Sequence, residues 1–223
     1  MNEVIDFAWF MDEGNRALNA GNFPEAANAF TLATIHADSD NEVASAYQMA
    51  GVALRLDSKH GEAHVAFETA LLYTKDVALR LSITRDEAAV YLNEGKLHRA
   101  SDLLEDSFIG LINIDETEAG ASLGFLARVE LRMGHKNEAY RLFISTDVML
   151  SSGDNRTYEM DNLVWLFKVV SPFVRLTLLP RAVRLIRQTG QRRRIVEIVL
   201  LTVGGEWLHG QAERMLRRRQ AGS

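Results

Sequence analysis

Three groups of residues in this sequence have types and spacings that bear on chemistry. His60 and His64 stand four apart with Glu62 between them. Two imidazoles one helical turn apart can share a metal, but a zinc-protease motif needs its glutamate directly after the first histidine and a third ligand elsewhere. Glu62 is out of phase for that role. Asp115, Glu116 and Glu118 form an acidic cluster of the kind general acid and base catalysis draws on, yet they fall where a helix begins. N-capping and the positive end of the helix dipole account for them there. Gly204-Gly205 lacks the Lys-Ser or Lys-Thr that a phosphate-binding loop requires. With no cysteine anywhere, thiolate metal sites and cysteine nucleophiles are excluded. The reading is of no catalytic, cofactor-binding or metal-ligating residue, and hence of a protein that is not an enzyme. Trp9, Trp165 and Trp207 occupy apolar helical positions and read as core or interface anchors.

Charge is the remaining chemistry, and it is unevenly distributed. Residues 1–158 hold 13 Lys and Arg against 25 Asp and Glu, whereas residues 159–223 hold 12 against 5. An acidic body is therefore followed by a basic tail, and the change coincides with the turn-rich Ser151-Ser152-Gly153-Asp154-Asn155. Three prolines and abundant Ala, Leu, Glu and Arg predict an all-α chain. Apolar residues make up 47% of it, enough to bury a core. No run approaches the roughly twenty apolar residues of a membrane span. The first residues lack the basic flank and apolar stretch of a signal peptide, so a cytoplasmic location is expected.

The elements that position these residues follow from a repeat. Ala26, Phe30 and Ala33 fall on one helical face as small, large, small. The pattern returns 37 residues later as Ala63, Phe67 and Ala70, then as Ala100, Leu104 and Ser107, and 39 further as Ala139, Phe143 and Thr146. Ahead of each triplet lies a second periodic stretch: Phe10, Gly14, Ala17; Tyr47, Gly51, Leu54; Thr84, Ala88, Tyr91; Leu123, Ala127, Glu130. Gly21, Gly95 and Gly134 separate the two, with Ser58 at the corresponding second turn. Asn22 is placed to N-cap the second helix, with Pro24 in its first turn. Ser39 with Glu42, and Asp115 with Glu118, have capping-box spacing before the third and seventh helices. After Asn155, a helix over Tyr158 to Val170 should end at Pro172. Pro180 should open a short helix through Gln188, with two more about Arg192 to Val203 and Glu206 to Arg219.

These residues resemble the tetratricopeptide repeat family, whose roughly 34-residue unit is a pair of antiparallel helices with small residues at fixed places. The resemblance covers Phe7 to Leu150. It implies a right-handed α-α superhelix of four hairpins, about 7–40, 44–77, 81–113 and 120–152, forming a repeat array over 1–150. A basic helical cap or extension over 156–223 follows. In that family the first helices line a concave groove that holds an extended peptide or a partner's helix. The groove positions correspond here to Met11, Asn15, Asn19, Gln48, Val52, Arg55, Arg85, Asn93, Arg128 and Arg132. The chaperone-binding members use a clamp of lysines and asparagines. Asn15 matches one place of it, but Met11 stands where the first lysine belongs, so that partner is not expected.

The expected function is thus a non-enzymatic protein-interaction scaffold or adaptor whose inward arginines favour an acidic peptide or helix. The alternative for those arginines is pairing with Asp86, Glu87, Glu94 or Glu130 on a solvated face. Two other readings stay open. Arg181, Arg184, Arg187, Arg192, Arg193, Arg194, Arg214, Arg217, Arg218 and Arg219 could make the tail a nucleic-acid contact. Equally, the basic tail could dock on the acidic body of its own copy or another, giving a homodimer.

Overall fold

The computed structural model describes residues 6–153, 155–191 and 194–202. Among them the chain is all-α: α1 Phe7–Ala20, α2 Phe23–Ala33 with a 3-10 turn Thr34–His36, α3 Asp40–Leu56, α4 His60–Tyr73, and α5 Val77–Glu94. Then come α6 Leu97–Leu111, α7 Glu116–Met133, α8 Lys136–Ser152, α9 Arg156–Val169 and α10 Pro172–Thr189. A further helical stretch covers 194–202, and the helix expected over Glu206 to Arg219 lies outside the described residues. The chain divides into two compact units, Met1–Val129 and Glu130–Ser223.

In the first unit each helix from α1 to α5 packs on the next one in sequence, and α3 also meets α5. The reason lies in the small-large-small triplets, whose members are all fully buried, those of α8 in the second unit included. Phe30 packs against Gly14, where a Cβ would sit 2.5 Å from its ring; Phe67 packs against Gly51, where the distance would be 2.7 Å. The missing side chain is what lets α1 approach α2 and α3 approach α4 so closely. Buried Ala88 and Leu104 hold the equivalent positions on α5 and α6. Ser107, the last member of the third triplet, donates from Oγ to the Leu81 carbonyl (2.9 Å) and lies 2.9 Å from Ser122 Oγ. Its polarity is thereby satisfied in the interior.

First and second helices start differently. α1, α3, α5, α7 and α9 are capped by side chains: Asp6 accepts from Trp9 N, Ser39 from Glu42 N, Asp76 from Leu79 N, Asp115 from Thr117 N and Glu118 N, and Asn155 from Tyr158 N. Glu42 reaches back to the amide of Asp38 rather than that of Ser39. α2, α4, α6 and α8 have no such bond, so the side-chain cap expected of Asn22 is not formed. They are entered instead through one repeated backbone turn. Its left-handed residue is Gly21, Ser58, Gly95 or Gly134, at φ 86°, 64°, 82° and 92°. The next residue, Asn22, Lys59, Lys96 or His135, holds φ between −86° and −80° and donates its amide to a carbonyl five residues back at 2.9 Å. This bond satisfies the last carbonyls of the preceding helix and fixes the hairpin angle.

In the second unit α8 packs on α9 and α9 on α10. α10 departs from expectation: it starts at Pro172, where a first-turn proline costs no bond, and runs unbroken through Pro180. Pro180 lies on the solvent side, where water can serve the Leu176 carbonyl that loses its intrahelical donor.

Ser58 is the one non-glycine at a left-handed turn among the described residues. Ser58→Gly should raise stability by about 1 kcal/mol, while Gly51→Ala should lower it by about 1–3 kcal/mol because the Phe67 ring must move. Urea denaturation of both variants checks this; a Gly51→Ala protein as stable as wild type would refute the close-approach argument.

Candidate functional site

The first-unit positions expected to face a partner come from α1, α3, α5 and α7, and the structure gives them different roles. Gln48, Arg85 and their neighbours form a buried polar network. Gln48 Nε2 on α3 donates to Ser82 Oγ (3.1 Å) and Asp86 Oδ2 (2.7 Å) on α5. Arg85 donates through Nε to Asp86 Oδ1 (3.0 Å) and pairs with Glu118 on α7. Its side chain is 2% exposed, so the guanidinium serves as an internal bracket between α5 and α7. A buried arginine is tolerable only with its charge met, and here two carboxylates meet it. Arg85 pairs with Asp86, as the alternative reading of the arginines had it, but the pair is buried and not on a solvated face.

Arg55 and Arg128 are disposed differently. Both are half-buried, and both guanidinium groups approach the ring of Phe125 on α7, Arg55 at 6.0 Å and Arg128 at 4.3 Å from its centroid. The attraction is of cation to ring quadrupole. Phe125 was not among the sequence candidates; its signal was the spacing Phe125–Arg128, three apart on one helix face. Asn15, Asn19 and Asn93 are exposed, and Met11 and Val52 are half-buried against the aromatic core clusters under α2 and α4. Arg132 is exposed and belongs to the second unit.

The histidine pair resolves as a packing feature. His64 lies between Glu87 (3.4 Å) and Glu94 (3.5 Å) and tilts against Tyr91, at 4.6 Å between ring centroids. His60 begins α4. Among the described residues no group of three or more His, Asp or Glu side chains is arranged to hold a metal. Lys96, 2.9 Å from Glu94, holds that carboxyl below the usual range; burial opposes the shift and His64 adds to it.

Several arginines of the basic tail are likewise engaged within the second unit. Arg181 bridges Asp147 (2.6 Å) and Glu159 (2.8 Å), Arg194 pairs with Asp161 and Glu197, and Arg175 donates to the Leu201 carbonyl (2.7 Å). Burial acts to lower the pKa of Arg181 and Arg194, but the carboxylates outweigh it and the net shift is upward. Arg184 and Arg187 are exposed, while Arg192, Arg193 and the four arginines from Arg214 onward lie outside the described residues. No described helix is long and apolar enough to cross a membrane.

Two measurements check these roles. Arg85→Leu strands Asp86 and Glu118 and should cost about 3–5 kcal/mol in urea denaturation, against under about 1 kcal/mol if the network were incidental. For Glu94, the depressed carboxyl contributes stability that is present above its unfolded pKa and lost as pH falls through the folded one. Glu94→Gln should therefore be less stable than wild type near neutrality and converge with it in acid; parallel stability curves across that range would exclude the coupling.

No family model matches the sequence and no curated protein matches it. Solved structures do. A putative kinesin light chain from Podosopora anserina with nearly identical TPR-like repeats aligns at TM-score 0.52 and 16% identity, over 93% of this chain and 97% of that one. A Rap protein complexed with Competence and Sporulation Factor aligns at 0.72 and 12% identity, over 99% and 66%. The Rap conjugation gene regulator of plasmid pLS20, in complex with a Phr peptide, aligns at 0.66 and 16%, over 96% and 65%. The chain thus spans just under two thirds of the length of the two Rap structures. With its buried triplets, repeated left-handed turns and these structural neighbours, the chain is an all-α helical repeat protein of the tetratricopeptide-like fold.

Proposed function

We propose that the protein is a non-enzymatic interaction module that binds an acidic peptide or helix on the α3–α5–α7 face of its first unit. The observation that carries this reading is the convergence of Arg55 and Arg128 on Phe125. Two guanidinium groups drawn to one ring stand together on this face. A carboxylate from a partner accepts paired N–H donors from the planar fork of an arginine held on this face. Phe125 adds an apolar surface beside the charge, and exposed Asn93 on α5 offers its amide to a peptide backbone. The Rap structures of the same fold hold a peptide or factor, which supports a peptide ligand here. Arg85 has no direct part in this role; it fixes the spacing of α5 and α7, and so the place where Arg128 is presented. A cytoplasmic setting fits the cysteine-free sequence.

Fluorescence anisotropy with a labelled decapeptide rich in Asp and Glu, and with its Lys-rich counterpart, tests the reading. Wild type should bind the acidic probe and not the basic one. Arg55→Glu combined with Arg128→Glu should weaken binding at least ~100-fold, about 2.7 kcal/mol, without changing the circular dichroism. Equal binding by the double variant would sink the proposal.

A further inference from the structure

The outer face of the first unit carries a repeated feature that packing does not use. Ile35, Leu72 and Ile109 are spaced by the 37-residue period and are 74%, 85% and 68% exposed. Each stands nine residues after the first alanine of its triplet. At about 100° per residue this places Leu72 and Ile109 on the side of α4 and α6 directly opposite the buried face. On α4 they share that side with Val65, Glu68 and Thr69; on α6, with Asp102, Glu105 and Asp106. These two outer faces thus combine exposed aliphatics with four carboxylates and the imidazole of His98, and carry no lysine or arginine.

One helix of the second unit has the opposite make-up. α10 contains four arginines and no acidic residue. Phe173, Leu176, Val183, Arg184 and Arg187 are exposed, Phe173 at 82%, and fall within an arc of about 100° opposite buried Ala182. Scattered exposed apolar residues need no explanation, but a row set in register by a repeat, and a matching arc on one helix, mark contact surfaces.

We propose that the chain associates with itself through unlike faces, α10 of one copy lying on the outer side of α4 and α6 of another. Charge selects this pairing over the two self-matched ones. Outer face on outer face would set Glu68, Asp102, Glu105 and Asp106 against the same carboxylates, and α10 on α10 would set Arg184 and Arg187 against themselves. Only the crossed pairing covers both sets of aliphatics and joins opposite charges. This inference does not rest on the peptide reading, which concerns the other side of the same helices' hairpins and different residues.

Sedimentation equilibrium on the full chain tests it with two double variants at exposed positions: Leu72→Lys with Ile109→Lys, and Phe173→Glu with Arg184→Glu. Both should keep wild-type circular dichroism. Wild type should associate with rising concentration, and less so in ~1 M salt, where the screening length falls to about 3 Å. Each variant alone should associate at least ~tenfold more weakly, since each lacks one face. An equimolar mixture of the two should recover a one-to-one complex, because each supplies the face the other lost. The proposal is overturned by a wild type that stays monomeric up to its solubility limit, by undiminished association of either variant, or by failure of the mixture to recover. It is also overturned if wild type stays monomeric yet sediments with phosphatidylserine vesicles through α10, which would make that arc a membrane contact.

Discussion

The close approach of two helices, made possible where a large ring covers a residue without a side chain, is the constraint on which the first unit depends. Phe30 over Gly14 and Phe67 over Gly51 bring each hairpin to a spacing that any Cβ would prevent. Once that spacing is set, the flanking alanines of each triplet have no freedom: Ala26, Ala33, Ala63 and Ala70 are fully buried because the helices meet across them. Larger residues there would force the helices apart and leave the rings with voids beside them. The left-handed turn then becomes a requirement, because only a short connection joins helices so near to one another. That is why Ser58 adopts a conformation its side chain disfavours instead of the chain adopting a different turn.

The third hairpin relaxes the rule, and polar chemistry enters where it does. Leu104 replaces the ring and Ser107 the closing alanine, and Ser107 bonds to Leu81 and approaches Ser122. Beside them Gln48, Asp86, Arg85 and Glu118 tie α3, α5 and α7 together. Apolar packing tolerates a rotation of one helix on another at little cost, whereas a satisfied buried network has one geometry. The network therefore fixes the register of three successive first helices, and with it the positions from which Arg55 and Arg128 reach Phe125.

Most of the scaffold was legible in the sequence because its cause is local and periodic. The triplets, the turn glycines and the caps at Ser39 and Asp115 each follow from residue type at a fixed spacing. Asn22 misled because the turn before it already sets the backbone, leaving a side-chain cap nothing to do. Pro180 misled because a proline facing solvent can sit within a helix when water takes the carbonyl it strands. The candidate face was legible only as a set of positions. Whether an arginine there is buried or half-exposed depends on partners some thirty residues away, as with Arg85 and Glu118, or seventy away, as with Arg55 and Phe125. Periodicity places side chains on a face; it does not say which of them meet across helices.

The same logic separates two uses of charge in this chain. In the second unit, Arg181 and Arg194 each sit between two carboxylates contributed by other turns or helices, and stitch α8, α9, α10 and the 194–202 stretch together. The excess of basic residues in that part of the sequence is thus drawn partly into structure. An arginine held by two carboxylates cannot exchange them for phosphates without losing the contacts that place its own helix. Counting basic residues overstates how much positive surface a folded unit offers. On α10 the surface left for recognition is that of exposed Arg184 and Arg187, since Arg181 is held by two carboxylates and buried Arg175 by the Leu201 carbonyl.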